Sequence, residues 1–247
     1  MSVGNLTRRA GNQLYKFAFP VYRPLYSAFK SYSDRGERSI LRSRIPARSV
    51  VVDAGANIGI YSAFLADCVG RHGMVHSFEP DRDNFARLES ALSHRRNLRL
   101  NQLAVGDLSG STILYLSRDL NVDHRTYPTE NESREERTIH SVRLDEYFRP
   151  GERVDFIKLD IQGFELHALR GAARILAENL SITLLLEFWP YGLKCAGSSG
   201  EELLDFLYSN RFHCSLITNG ILTQDASPNL SPDDPANYVN LFVSRPA

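Results

Sequence analysis

Short apolar runs recur along the chain, and most of them close on an acid. Val50 to Val52 is followed by Asp53, Met74 to Phe78 by Glu79, Val154 to Leu159 by Asp160, and Ile182 to Leu186 by Glu187. Runs of this length, bounded by turn residues, read as buried strands. A further run, Leu98 to Val105, stands just before Asp107. Between these runs lie stretches of helical period: Ile58 to Val69 ending at Gly70, Asp81 to Leu92, Gly163 to about Leu176, and a segment through Tyr208 opened by the capping-box spacing Ser199-x-x-Glu202. Strands alternating with helices predict an α/β fold with a parallel sheet. Cys214 to Thr218 and Tyr238 to Ser244 complete seven strands. No helix separates these last two, so the final strand is expected to run antiparallel. The prediction is a seven-stranded, mostly parallel sheet with an antiparallel last strand and helices on both faces.

Two interruptions break the alternation. Thr112 to Leu116 and Thr138 to Leu144 read as an extra hairpin around the polar stretch SRDLNVDHRTYPTENESREE. A loop of that length inside a domain usually has a job or no fixed structure. Its first half, Asn121 to Tyr127, holds donors, acceptors and an imidazole. Thr218 to Asn237, with an Asn219-Gly220 turn, is expected to leave from the C-terminal face of the sheet and to serve as a lid.

Residues 1–48 precede the first strand and are expected to form a basic helical extension, with 49–247 as one folded domain. Pro20 and Pro24 divide the aromatic stretch NQLYKFAFPVYRPLYSAFKSY, which predicts two short amphipathic helices. Residues 1–49 carry ten Lys or Arg against Asp34 and Glu37, a net +8 balanced by −8 over the remainder. Docking on the acidic domain, contact with a membrane surface and contact with a second copy all fit that charge. The 247 residues, 43% of them hydrophobic, suffice for one sizeable core. Cys68, Cys195 and Cys214 are scattered and odd in number, against a disulfide framework or a zinc site. The opening MSVGNLTRRAGNQLY lacks the apolar core of a signal peptide, so the expected location is cytoplasmic.

The candidate chemistry centres on VVDAGANIGIYS, Val51 to Ser62. Strand, glycine turn and helix together offer backbone N–H groups to a nucleotide-like ligand. The spacing Gly55-Ala56-Asn57-Ile58-Gly59 departs from the three-glycine dinucleotide fingerprint. An acid stands before it, which suits a ligand with a cationic amino-acid head. Glu79, at the second strand's tip, has two oxygens for two ribose hydroxyls, while Asp81 is placed to cap the next helix. Lys158 and Asp160 share a face at period two.

These residues also carry a resemblance. VVDAGANIGIYS, FEPD, FIKLDIQGFE and LLEFWPYG resemble the FkbM-type methyltransferases, from about Ser49 to the C-terminus. The resemblance implies a Rossmann-like fold and S-adenosylmethionine as cofactor. It implies that Asp53, Gly55, Asn57 and Gly59 hold the methionine end, that Glu79 takes the ribose, and that Ala104 to Asp107 borders the adenine. Many relatives carry Glu where this chain has Gln162. The Gln form, with Asp123-His124-Arg125-x-Tyr127 and EFWP, resembles a recurring subgroup. The family mostly methylates oxygen, often on sugars or other hydroxylated metabolites, which implies a small-molecule or glycan acceptor.

A hydroxyl acceptor must lose a proton, and His124, Asp160 and Glu187 compete as the base. An imidazole titrates near ~6.5 and is the best intrinsic match. Asp160 and Glu187 end adjacent strands. They are also the oxygen ligands that a metal-assisted variant would use, although no metal is assigned. A nucleotide-dependent oxidoreductase and a non-catalytic cofactor-binding module are the alternatives. Nucleic acid is not the expected acceptor. The fourth strand is followed by Asp160-Ile161-Gln162-Gly163 rather than a base-stacking Pro-Pro-aromatic turn, and the domain is net acidic. The sequence sets no oligomeric state.

Overall fold

The computed structural model describes residues 13–15, 17–117, 124–128, 134–224, 228 and 230–246. The described strands are β1 (Val50–Ala54), β2 (Met74–Phe78), β3 (Leu98–Asn101), β4 (Ala104–Val105), β5 (Gly110–Leu116), β6 (Glu135–Val142), β7 (Phe156–Leu159), β8 (Thr183–Phe188), β9 (His213–Thr218), β10 (Ile221–Gln224) and β11 (Val239–Ser244). The main sheet has the order β10-β9-β11-β8-β7-β1-β2-β3. Its pairs from β3 through β8 are parallel, and β11 lies antiparallel between β8 and β9.

The main sheet has eight strands where the sequence pattern predicts seven. The additional one, β10, pairs antiparallel with β9. Asn219 and Gly220 both take positive φ, 53° and 79°, the backbone that a tight hairpin requires. Leu222 packs on the core while Ile221 and Thr223 face out. The start of the expected lid is therefore an edge strand. The run Leu98 to Val105 also divides. β3 stays on the main sheet, whereas β4 joins the β5–β6 hairpin in a separate sheet of order β4-β6-β5.

Strand alternation assigns the two faces. Val51, Phe156, Leu185 and Phe242 face the helices Arg35–Arg44 and Ile60–Val69. Val52, Ile157, Leu184, Leu186 and Leu241 face the helices Glu165–Arg170, Ala173–Glu178 and Gly200–Ser209. The helix expected from Gly163 to Leu176 breaks at Gly171. A Cβ there would lie 2.0 Å from the Gly106 carbonyl oxygen, so only glycine permits the approach.

The N-terminal extension forms a helix Phe19–Ser33 followed by Arg35–Arg44. Pro24 lies inside the first helix instead of dividing it. Pro20 and Pro24 are both exposed, so the turn that lacks an amide donor lies on the solvent side of the helix. The aromatic side docks on the domain. The Tyr15 hydroxyl donates to Asn84 Oδ1, and the Arg87 guanidinium sits 3.6 Å from the Tyr15 ring centroid. Buried Glu37 accepts from the Tyr61 hydroxyl and from Asn240 Nδ2.

Candidate active site

The chain builds outward from β1 to β2 and β3, then returns across β1 to begin β7. At such a reversal, neighbouring connections leave in opposite directions and a crevice opens at the strand ends. A cleft of ≈ 490 Å³ lies there. Gly55, Asn57, Glu79, Ala104, His124, Asp160 and Glu187 line it; Asp53, Gly59 and Asp107 do not.

The glycine turn is held from beneath. Gly55 and Ala56 N–H groups donate to the Phe78 carbonyl at 3.0 and 2.9 Å. Asn57, with φ 49°, turns its N–H onto Glu79 Oε2 at 2.8 Å, and the Asp81 N–H reaches Glu79 Oε1 at 2.9 Å. Burial pushes the Glu79 carboxyl up to about 7, against these amide bonds. Asp81 separately caps the helix Arg82–Leu92 through the Asp83 and Asn84 amides.

The two motif glycines serve protein packing. A Cβ on Gly55, at φ +79°, would stand 1.9 Å from the Asp160 carbonyl oxygen. One on Gly59 would meet Leu88 and Leu92 at 2.6 Å. Asp53 is fully buried within β1 and accepts from Ser62 Oγ at 2.7 Å. Asp107 lies beyond β4, paired with His167 Nδ1 at 2.8 Å.

One ammonium organises the acids. Lys158 Nζ lies 3.1 Å from Asp160 Oδ2, 3.6 Å from Asp53 Oδ1 and 5.0 Å from the Tyr61 ring centroid. Burial disfavours its charge, but Asp160 and Asp53 more than compensate and keep its pKa above normal. Burial likewise works against the Asp160 anion, yet the nearer lysine outweighs it and lowers the Asp160 pKa. Asp53 receives the longer contact, so its burial wins and its pKa rises. Glu187 is raised well above the usual carboxylate range, first by burial and then by the Asp160 and Glu165 charges. Two cleft carboxylates are thus driven in opposite directions.

Glu165 was no sequence candidate. It is fully buried and takes the Ile161 and Gly163 amides at 3.1 and 3.3 Å, which holds the turn that follows β7. That turn places Gln162, at φ 57°, with Nε2 3.4 Å from Glu187 Oε2.

The segment 124–127 adds a wall. Arg125 exchanges backbone hydrogen bonds with Tyr115, and Tyr127 donates to the Gln162 carbonyl at 2.5 Å. Asn121 and Asp123 lie outside the described residues. His124 Nδ1 accepts the Ser117 N–H at 3.1 Å. An amide can only donate, so the neutral ring carries its proton on Nε2. Sequence reasoning also missed Tyr26 and Lys30 of the extension, and Trp189, Pro235 and Tyr238, all of which line the cleft. The Trp189 indole donates to the Pro235 carbonyl at 3.2 Å, so the end of the expected lid does reach the site. Tyr26 at i and Lys30 at i+4 share a helix face, which was the signal available for them.

A reversal of sheet order with a glycine turn and a buried acid beside it is an arrangement that S-adenosylmethionine-dependent methyltransferases share with other nucleotide-binding α/β folds, and the sequence places the chain in the former class. Within that class the chain belongs to the Methyltransferase FkbM domain family, whose sequence model matches residues 53–214. No curated protein sequence matches it. Among solved structures it is similar to a putative rRNA-methylase from Clostridium thermocellum, with 13% identity and TM-score 0.48 over 84% of this chain and 94% of that one. A SAM-dependent methyltransferase from Aquifex aeolicus shows 14% identity and TM-score 0.45, over 84% and 88% of the two chains. Aeropyrum pernix fibrillarin with natively bound S-adenosyl-L-methionine shows 12% identity and TM-score 0.46, over 84% and 73%. These likenesses are too distant to carry an acceptor. Among the described residues no group of three or more His, Cys, Asp or Glu is arranged to hold a metal, and no helix is long and apolar enough to cross a membrane.

Proposed function

We propose that the chain methylates a hydroxyl oxygen of a sugar, glycan or other small metabolite in the cytoplasm, with Glu187 as the proton acceptor. The observation that carries this reading is the opposed electrostatics of Asp160 and Glu187 in one cleft. A pair of carboxylates pushed apart in pKa marks out an acid–base assignment. Asp160, ionised beside Lys158, is the fixed charge, and Glu187 is the stronger base.

The residues fit the cofactor. Glu79 lines the cleft as a nearly buried carboxylate, held by the Asn57 and Asp81 amides and the Asn84 side chain, with acceptor capacity left for the ribose. Phe78, Leu103, Ala104 and Val105 supply an apolar wall suited to an adenine. Gly55 and Asn57 would meet the methionine end, with Asp53 acting from below through Lys158. When bound, the cofactor supplies a methyl already activated by its sulfonium. The protein must orient the acceptor, exclude water and remove a proton. As the acceptor oxygen takes the methyl, its proton passes to Glu187. Tyr26, Tyr238 and Trp189 offer aromatic faces for a sugar ring, and His124 lines the same cleft. The acidic turn after β7 disfavours a nucleic acid, and the three cysteines are free, as a reducing compartment requires.

Methyl-labelled cofactor with a panel of saccharides and hydroxylated metabolites tests the reading. Label should appear as an ether, and Glu187→Gln should lower turnover roughly 10²–10⁴-fold. The wild-type rate should climb with pH through a value above the usual carboxylate range, because Glu187 must be deprotonated. Label on nitrogen or carbon, or full activity in Glu187→Gln, would overturn it.

A further inference from the structure

The helix Phe19–Ser33 has two working faces, and the cleft uses only one of them. Tyr22, Tyr26 and Lys30 turn toward the domain, and the last two line the cleft. Val21, Leu25, Phe29 and Tyr32 point elsewhere and are 53%, 58%, 63% and 71% exposed. At 3.6 residues per turn these four fall within an arc of about 80°. Phe17, 82% exposed, stands immediately before the helix. Isolated exposed apolar residues are ordinary, but a continuous stripe marks an interaction surface.

Charge indicates what covers it. The segment FPVYRPLYSAFKSYS contains no acid. Arg35 continues the stripe, its guanidinium 4.6 Å from the Tyr32 ring centroid, and Arg42, Arg44 and Arg48 are exposed on the elements that follow. A second copy would bring two such basic segments together, whereas anionic headgroups complement them. Apolar side chains with aromatics at the ends and arginines beside them are the pattern of a helix lying in a bilayer interface. Fifteen residues span about 22 Å, too short to cross the hydrocarbon core.

We propose that the helix Phe19–Ser33 docks this protein on an anionic membrane surface through Val21, Leu25, Phe29, Tyr32 and Arg35. Because Tyr26 and Lys30 stand on the adjoining face, the mouth of the cleft then opens beside the lipid headgroups. That consequence rests on the reading of the cleft as the acceptor site; the docking itself does not.

Flotation of the full chain with phosphatidylcholine–phosphatidylglycerol vesicles, and with phosphatidylcholine alone, tests it. Binding is expected on the mixed vesicles and should fall steeply with added salt. Leu25→Glu/Phe29→Glu should abolish it, and Arg35→Ala should weaken it about fivefold. Circular dichroism and calorimetric titration with S-adenosylhomocysteine in solution should be unchanged in these variants, which separates docking from folding and from the cleft assignment. No flotation with mixed vesicles, or equal flotation of Leu25→Glu/Phe29→Glu, overturns the proposal. So does a dimer, seen by light scattering, that this variant dissolves while wild type leaves vesicles unbound.

Discussion

Replacing Lys158 by Met keeps a chain of similar length and removes the charge that links Asp53 to Asp160. Asp53 is fully buried, and among the described residues its Oδ1 has no hydrogen-bond partner beyond the 3.6 Å ion pair. Removing one partner of a buried pair typically costs ~3–5 kcal/mol, because the other charge is left behind. In a chain of this size ~1 kcal/mol moves the midpoint by about 2–4 °C, so a fall of roughly 6–20 °C is expected. The pH dependence follows from Asp53. Its folded pKa is raised above the unfolded value, so the native state binds a proton that the unfolded state releases, and stability drops as pH rises through that window. Without Lys158 the window moves further up. The deficit of Lys158→Met should therefore be largest near pH ~8 and shrink toward pH ~5. Adding Asp53→Asn should recover much of the loss, since the orphaned charge is then gone. Thermal melts of wild type, both singles and the double, followed by circular dichroism across pH, complete the cycle. A double variant no more stable than Lys158→Met, or a deficit that does not change with pH, would refute this account of the lysine.

Three further outcomes follow from the same geometry. Glu79→Ala should lower S-adenosylhomocysteine affinity by about 1.5–3 kcal/mol in calorimetry; in the wild type, affinity should rise with pH through about 7, because the ionised Glu79 is the stronger acceptor for the ribose. His124→Ala should reduce turnover less than Glu187→Gln and leave the ascending, low-pH limb of the pH–rate profile in place, since Glu187 is the proposed base; loss of that limb would restore His124 as the base. Gly55→Ala should destabilise the fold by about 1–3 kcal/mol from overpacking and a further ~1–2 kcal/mol from its left-handed backbone, visible as a lower midpoint before any ligand is added.

Much of the sheet was legible because buried parallel strands need short apolar runs, and β1, β2, β7 and β8 have them. β10 was not, because Ile221 and Thr223 face solvent on an edge strand and only Leu222 packs partly on the core, which leaves too little apolar signal. The division between β3 and β4 has no marker in composition; it depends on which neighbour the chain pairs with. The Asp81 cap and the Ser199 cap were readable, since both use local spacing that the structure reproduces. Tyr26, Lys30 and Trp189 at the cleft were not, because their places depend on how a helix and a loop dock from elsewhere in the chain.

The acids at the strand ends show where pattern reading loses resolution. Four runs close on a carboxylate, and period alone treats the four alike. Their position relative to the last paired residue separates them. Asp53 is still inside β1, in register with Lys158, so its side chain is committed to a sheet face beneath the helix Ile60–Val69. Glu79 and Asp160 fall one residue past β2 and β7, where the backbone is free to turn them into the cleft. Glu187 is inside β8, opposite Asn240, yet it lines the cleft, where Gln162 Nε2 lies 3.4 Å from its Oε2. Burial without a lysine of its own then raises the Glu187 pKa, while the lysine fixed by Asp53 lowers that of Asp160. The acid farthest from the cleft thus sets the difference between the two that face it. A conservative change at Asp53 should for this reason be felt in the protonation of Asp160 and Glu187 before it is felt in cofactor contact.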